Sequence, residues 1–209
     1  MSRLAHALLA ALFLAAPASA STVERNFSYF TIGGSTLAEI EEELNRRGPM
    51  VGTTERRHPG ATRMQFATRV SYGENDGRCG VIDATVTLNA NMILPRWRVA
   101  GDAGMETRII WDTLASDIRR HEESHVVIAR NYAREIETAV KAVRNERDCE
   151  AAEARVETIR TNLLRQHDQE QIDFDRIEAV NFERRMLRLL DYRLERMENG
   201  RLPTPGDGD

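Results

Sequence analysis

The stretch Ser116-Asp-Ile-Arg-Arg-His-Glu-Glu-Ser-His-Val-Val-Ile-Ala-Arg130 decides how the rest of this 209-residue chain is interpreted. It places His121 and His125 four residues apart, with Glu122 directly after the first histidine. Residues four apart on an α-helix lie one above the other, so the two imidazoles can reach one ion. Neutral imidazole is a preferred ligand of Zn2+, and the glutamate can act as a general base on an attacking water molecule. The pattern predicts a zinc site.

The residues around this motif have the periodicity of an amphipathic helix. Apolar side chains recur mostly every three or four residues, and both histidines fall in register with them. The histidines are therefore expected to face inward, where the alternative to a metal site is a pair of buried, hydrogen-bonded imidazoles. The spacing, together with the glutamate between them, favours the metal. The apolar stripe consists of Ile110, Leu114, Ile118, Ile128, Tyr132, Ile136, Ala139 and Val143.

The first twenty residues have the composition of a secretory signal peptide. Arg3 precedes an apolar run from Leu4 to Ala16, and Ala18-Ser19-Ala20 is typical of a cleavage site. The run is shorter than the ~20 apolar residues that span a membrane, and no later stretch is continuously apolar. We therefore predict that residues 1–20 are removed and that the protein is exported, to the periplasm or outside the cell, without a stable membrane anchor.

Charge and cysteine content narrow the expectations further. The formal net charge is −4 at pH 7 and no basic residues form a contiguous patch, so nucleic acid is not an expected partner. Residues 202–209 are polar and rich in proline and glycine, which predicts a disordered tail. The two cysteines, Cys79 and Cys149, would meet an oxidising compartment after export. We predict that they form a disulfide.

Strand patterns occupy the first half of the chain. An aromatic-rich segment within residues 21–32 predicts a short strand, and a helix should follow it. Residues 64–72 and 82–92 alternate apolar and polar side chains, which is typical of strands with one buried face, and a hairpin should join them. These strands predict a small antiparallel sheet. If the segment from Ile82 to Met92 lies at an edge, it could hold an extended peptide by strand addition.

The second half is predicted to be almost entirely helical. One helix should run from about Thr107 to about Asn145, and a second from near Cys149 to about Glu198. The short connection favours antiparallel packing of the two helices. The predicted fold class is therefore α+β, with a small antiparallel sheet packed on the helix that carries the histidines and a long antiparallel helical hairpin.

The apolar stripe of the second helix is interrupted by polar residues at the level of the two histidines. A zinc ion bound by two histidines needs a third protein ligand and, for catalysis, an open position. We rank Asp175 first for this role, then Glu178, then His167, with His58 as a further alternative. An exposed face on a helix rich in Arg and Glu would also explain the pattern. The polar residues are His167, Gln171, Asp175 and Glu178.

Several segments together resemble the bacterial domain of unknown function 922 family, whose members are described as candidate secreted zinc-dependent proteases. The resemblance spans nearly the whole mature chain. It rests on the histidine motif and on Gly33-Gly34-Ser-Thr36-Leu37, Cys79-Gly-Val-Ile82, Leu94-Pro95-Arg-Trp97, Trp111 and His167-Asp-Gln-Glu-Gln171-Ile-Asp-Phe174-Asp175.

Many members of that family carry a Tyr-Asp-x-x-Thr-x-His motif late in the second helix. The segment Phe174–Val180 aligns with it, with Phe174 in place of the tyrosine, Glu178 in place of the threonine and Val180 in place of the histidine. The resemblance implies a role for Asp175, which matches the aspartate of the motif. Because position 180 is a valine, it excludes a histidine ligand there.

Together these observations predict a periplasmic or secreted zinc metallopeptidase that acts on a peptide or protein substrate. Residues 21–201 would form a zincin-like metallopeptidase domain with a C-terminal helical hairpin. One Zn2+ ion would be held by His121, His125 and either Asp175 or Glu178, and Glu122 would act as the general base. The alternative is a non-enzymatic envelope protein whose hairpin binds a partner and whose metal is structural, enclosed by four protein ligands.

Overall fold

The computed structural model describes residues 22–51 and 56–203. The predicted signal peptide and most of the predicted tail lie outside the described residues. The fold is α+β, as predicted. Its elements are, in chain order, β1 (Thr22–Ile32), α1 (Leu37–Arg47), β2 (Ala61–Asn75), β3 (Arg78–Trp97), α2 (Met105–Lys141) and α3 (Cys149–Glu198).

The three strands form one mixed sheet in the order β1-β3-β2. β2 and β3 are an antiparallel hairpin, turned by Asp76 and Gly77 with φ of 51° and 72°. Positive φ at both turn residues matches the twist of the flanking strands. β1 pairs with β3 in parallel, so the prediction of an antiparallel sheet is wrong for this strand. Alternation of apolar and polar side chains indicates that one face of a strand is buried. It does not indicate whether the strand pairs in parallel or antiparallel with a strand that is distant in the sequence.

β3 is the central strand, with β1 on one side and β2 on the other. The hypothesis that residues 82–92 form an edge that holds a peptide is therefore wrong. Among the described residues, the open edges of the sheet belong to β1 and β2. Pro95 fits this order. The first residue of β2, Ala61, lies opposite Ile93, so at the proline β3 is paired only with β1.

Ile82 departs from the predicted buried face of β3, since its residue is 69% exposed. The pairing of β2 with β3 shifts register there: Ser71 lies opposite Asp83, whereas Tyr72 lies opposite Val81. One residue of β3 is thus left unpaired in a bulge, and the alternation of side chains changes phase. Val81 and Ala84 are buried on either side of it.

The core lies between one face of the sheet and α2. Buried residues of β3 alternate along the strand and pack against small and branched residues of α2, including Ala129 and Ala133, which allow the helix to lie close to the sheet. Full burial of a leucine such as Leu88 contributes about 1.5–3 kcal/mol. The buried residues of β3 include Ala84, Val86, Leu88, Ala90, Met92 and Leu94, and those of α2 include Val126, Ala129, Ala133, Ile136 and Val140.

α2 and α3 form the predicted antiparallel hairpin. α3 begins after Asp148, whose side chain accepts a hydrogen bond from the backbone N–H of Ala151. The predicted disulfide is confirmed: Cys79 at the start of β3 is bonded to Cys149 at the start of α3, with Cα atoms 5.0 Å apart. Within the described part of the chain, none of the helices combines the length and apolar character that a membrane crossing requires.

Candidate metal centre

Two histidines one turn apart on α2 converge on a common point. The Nε2 atoms of His121 and His125 are 3.0 Å apart, and the rings pack edge to face with centroids separated by 4.7 Å. Two ring nitrogens this close need a proton or a cation to offset the repulsion of their lone pairs. The side chain of His121 is 26% exposed and that of His125 is 12% exposed. The pair therefore lies at the edge of the core, within reach of solvent.

Asp175 of α3 completes a triangle with the two ring nitrogens. Its Oδ1 lies 3.2 Å from Nε2 of His121 and 3.0 Å from Nε2 of His125. Within residues 22–51 and 56–203, this is the only group of three or more histidine, cysteine or carboxylate side chains whose donor atoms come this close together. The first-ranked candidate for the third ligand thus lies beside both histidines.

The dimensions of this triangle suit a zinc ion. Ligands at the corners of a tetrahedron, about 2.0–2.1 Å from zinc, lie roughly 3.3 Å from one another. The three measured separations, 3.0, 3.0 and 3.2 Å, are close to that value. Two imidazoles and one carboxylate also match the ligand types that zinc prefers. The side chain of Asp175 is 55% exposed, so solvent reaches this corner of the triangle.

Hydrogen bonds within the cluster shift the pKa values of Asp175 and His125. Burial alone would raise the pKa of Asp175, but hydrogen bonds with His121 and His125 hold that pKa well below its ordinary value. Burial alone would lower the pKa of His125, but hydrogen bonds with Asp175 and Gln171 outweigh it and raise the pKa. A metal ion at this point therefore competes with a proton.

Phe174 holds the two imidazole rings in place. Its ring stacks on His121 with centroids 5.0 Å apart and meets His125 edge to face at 5.1 Å. Each contact fixes the plane of one histidine ring. The residue that the family resemblance aligns with a tyrosine thus supports both histidines through its ring alone.

Glu122 is buried on the sheet side of α2. Its Oε2 accepts a hydrogen bond of 2.7 Å from the hydroxyl of Thr62, at the start of β2. Its Oε1 lies against Gly60, where an added Cβ would come within 2.9 Å of that oxygen and 2.8 Å of Ile118. Burial raises the pKa of Glu122, and the Thr62 hydrogen bond opposes the rise. A carboxylate with a raised pKa is a better proton acceptor in its ionised form.

Glu178, the second-ranked candidate for the third ligand, lies on the other side of the His121 ring. Its Oε2 is 3.6 Å from Nδ1 of His121, whereas the triangle is formed by Nε2. The same carboxylate contacts the guanidinium groups of Arg120 and Arg185. Burial alone would raise the pKa of Glu178, but the hydrogen bond from Arg120 and the neighbouring charges lower it. The structure therefore places Glu178 beside the cluster and outside the triangle.

The remaining candidates do not reach the cluster. His167 is 5% exposed, and its two ring nitrogens lie 2.8 Å from Nε2 of Gln171 and 2.9 Å from Oδ1 of Asp168. His58 precedes β2, where its backbone N–H donates to the carbonyl of Pro49 at 2.9 Å. Neither histidine belongs to the group that could share an ion.

Two features of this site are not indicated by the sequence: the surroundings of Glu122 and the role of Gln171. Thr62 and Gly60 shape the surroundings of Glu122, but neither belongs to a motif, and both reach the site only because β2 packs beside α2. Gln171 belongs to the predicted polar patch, but the sequence assigns it no role. Its spacing of four residues from Asp175 was the available signal, because it places both side chains on one face of α3.

The fold and the cluster define an α+β protein in which a helical hairpin carries two histidines and one carboxylate. The chain belongs to the bacterial protein family of unknown function DUF922, whose sequence profile matches residues 27–182. The family resemblance is confirmed, and the match covers the three residues of the triangle and Glu122. The family description assigns no activity. Comparison with curated proteins and with solved structures found no match.

Proposed function

We propose that this protein is an exported zinc metallopeptidase. The observation that carries the proposal is the convergence of His121, His125 and Asp175 within 3.2 Å of one another, one residue along α2 from the buried carboxylate of Glu122. The first three residues would hold Zn2+. A bound zinc ion would polarise the scissile carbonyl and the attacking water. The disulfide between Cys79 and Cys149 supports export to an oxidising compartment.

Glu122 would take the proton of the attacking water and later return it to the leaving amine. Burial favours this role, because it raises the pKa of the carboxyl group towards the pH at which a base is effective. Thr62 restrains one carboxylate oxygen by its hydrogen bond, and Gly60 leaves room for the other. A buried, restrained carboxylate with a raised pKa supports the proposed role of Glu122 as the general base.

The open edge of β2 supports a peptide as the substrate. β2 begins at Ala61, next to the residue that holds Glu122, and its outer edge has no strand partner among the described residues. Unpaired backbone groups on such an edge can bind an extended chain by strand addition. A peptide bound there would pass close to the proposed general base.

The test compares Glu122→Gln with Glu123→Gln, which changes an exposed neighbour in the same way. Both variants are expected to bind zinc like the wild type. Glu122→Gln should lose about 100- to 10,000-fold in the rate of peptide cleavage, because the base is gone, while Glu123→Gln should not. Cleavage of a mixed peptide library by each zinc-loaded protein measures this. Equal cleavage by wild type and Glu122→Gln, or none by the wild type, would contradict the proposal.

A second candidate function, the partner-binding hairpin with a structural metal, is favoured by one observation. Aliphatic side chains recur on the outer face of α3, where Val180 is 82% exposed. Exposed apolar residues in a row are typical of protein contact sites. The solvent-facing Asp175 favours the open, catalytic arrangement instead. The exposed aliphatic residues of α3 include Ile172, Val180, Leu187 and Leu194.

A further inference from the structure

Gln171 lies in the core of the hairpin, between the candidate metal centre and His167. It is 9% exposed, although a side-chain amide is costly to bury unless all of its hydrogen bonds are made. Here each polar atom of the amide has a partner: its oxygen faces His125, and its nitrogen faces the backbone of His125 and the ring of His167. These hydrogen bonds determine which side of the amide carries the oxygen and which carries the nitrogen.

The orientation of the amide follows from the groups around it. The backbone carbonyl of His125 can only accept a hydrogen bond, so the amide atom 3.1 Å away must be the NH2 nitrogen. The oxygen Oε1 then faces Nδ1 of His125, at 2.5 Å. An amide oxygen can only accept, so Nδ1 carries a proton. Nε2, the nitrogen that faces Asp175, is therefore the one that can offer a lone pair to a cation.

His167 completes the same set of hydrogen bonds. The second N–H of the Gln171 amide points to Nε2 of His167 at 2.8 Å, which makes that nitrogen an acceptor. The proton of the imidazole then lies on Nδ1, which donates to Oδ1 of Asp168 at 2.9 Å. The rings of Phe66 and Tyr132 pack edge to face against this histidine. His167 is thus held firmly, and both of its nitrogens are occupied.

We propose that Gln171 is a positioning residue for the metal centre, and that His167 supports it. Gln171 holds the proton of His125 on Nδ1, so that Nε2 of this histidine is presented to the ion. The inference rests on the proposed function in one respect, the identity of Zn2+ as that ion. Hydrogen bonds from such neighbouring groups commonly fix the tautomer of a ligand histidine, and their loss typically weakens metal binding by about 10- to 100-fold.

The test uses Gln171→Met, which keeps the shape of the side chain without its hydrogen bonds, and Gln171→Glu, which keeps only the acceptor for Nδ1. Gln169→Met is the matched control, because Gln169 is an exposed glutamine on the same helix. The first readout is the Kd for Zn2+, measured by competition with a chromophoric chelator. Gln171→Met should bind zinc about 10- to 100-fold more weakly than the wild type, and Gln169→Met should match the wild type.

The second readout is the Nδ1–H proton of His125, observed by NMR in protein labelled with 15N-histidine, with and without zinc. A hydrogen bond of 2.5 Å should protect this proton from exchange in the wild type. The signal should persist in Gln171→Glu and in Gln169→Met and should disappear from Gln171→Met. A purely structural role for Gln171 would not produce this pattern, because the signal reports one hydrogen bond and not stability.

The two proposals can fail separately. Wild-type protein that binds no zinc would refute the metal centre, while the NMR signal of the zinc-free protein would still test the role of Gln171. Wild-type zinc affinity in Gln171→Met, or an unchanged Nδ1–H signal in that variant, would overturn the positioning role. Weaker zinc binding with the signal retained would overturn it as well, since the tautomer would then not depend on Gln171.

Discussion

Asp117 is a buried carboxylate one turn before the histidines on α2. It is 4% exposed, and Arg185 of α3 donates two hydrogen bonds to it, at 3.0 Å to Oδ1 and 3.1 Å to Oδ2. Arg120 adds a third contact at 2.9 Å. Burial alone would raise the pKa of Asp117, but the hydrogen bonds from Arg185 and Arg120 lower it below its ordinary value. This ion pair joins the two helices beside the candidate metal centre.

The lowered pKa makes a prediction about stability and pH. The ionised form of Asp117 is favoured by folding, so its contribution is complete above the unfolded-state pKa of about 3.9 and is lost as the pH falls through the lower folded-state value. At pH 7 Asp117→Asn should destabilise the protein by about 3 kcal/mol, because the guanidinium of Arg185 loses the buried carboxylate to which it donates hydrogen bonds. Below about pH 4 the difference between wild type and variant should shrink.

Urea unfolding of both proteins from pH 2.5 to 7 measures this difference. Asp173→Asn is the control, because Asp173 pairs with Arg176 on the surface of α3, with 45% of its side chain exposed. A surface pair contributes about 0–1 kcal/mol, so the control should change little. A deficit of Asp117→Asn that stayed constant over the whole pH range would show that ionisation of Asp117 does not contribute.

At the residue scale, the sequence indicates the proposed ligands and Glu122, but it does not indicate the residues that contact them from the sheet. His121, His125 and Glu122 were indicated by their spacing on one helix, which is a local property. Asp175 was indicated by the register of a short hairpin. Thr62 could not be predicted in this way, because its contact with Glu122 depends on how the sheet meets α2.

At the scale of elements, α3 is the helix that gives the site its outer half. Gln171, Asp175 and Glu178 follow one another at intervals of four and three residues, so they share one face. Each of them contacts a histidine of α2, and the three differ in which ring nitrogen they meet. The interruption of the apolar stripe in α3 therefore has a physical reason, since these side chains meet the two imidazoles.

The pairing of elements was predicted where the chain connects them directly. The hairpins β2–β3 and α2–α3 follow from short connections and from turn residues. The parallel pairing of β1 with β3 could not be predicted, because α1 and β2 intervene and the alternation of side chains is the same for either direction. The bulge at Ile82 was also missed, since a bulge depends on the register with the partner strand.

The disulfide makes a prediction at this scale, because it joins the hairpin β2–β3 to the start of α3. Its two cysteines are 70 residues apart in the sequence. Closing a loop of this length restricts the unfolded chain and stabilises the fold by roughly 4 kcal/mol in the chain-entropy account. The double variant Cys79→Ala/Cys149→Ala should therefore lose up to about that amount of unfolding free energy, as measured by urea unfolding.

Two further measurements complete this test. Wild-type protein unfolded in the presence of a reductant should show a loss similar to that of the double variant. Titration of the oxidised, denatured wild type with a thiol reagent should detect no free thiol. Two reactive thiols, or equal stability of wild type and double variant, would contradict a disulfide that stabilises the fold.

At the scale of the whole molecule, the candidate metal centre depends on how the sheet, α2 and α3 pack together. The sheet positions α2 through the core around β3, and α2 positions the two histidines. The disulfide joins the start of α3 to β3, and the ion pair between Asp117 and Arg185 joins α3 to α2. Asp175 lies 54 residues along the chain from His121 and 50 from His125. The three proposed ligands therefore come together only in the folded protein, where α3 packs against α2.

This dependence predicts that metal binding stabilises the fold. A ligand that binds only the native state adds RT ln(1 + [L]/Kd), which is about 2.7 kcal/mol at a zinc concentration of 100 Kd. Thermal unfolding of the wild type should therefore shift to higher temperature when zinc replaces EDTA.

The shift should be absent from Asp175→Ala, which removes a proposed ligand. In Asp173→Ala, which changes an aspartate on the surface of the same helix, it should be as large as in the wild type. Glu178→Ala should keep a reduced shift, because Glu178 contacts only Nδ1 of His121. An equal zinc shift in Asp175→Ala and in the wild type would place the metal elsewhere.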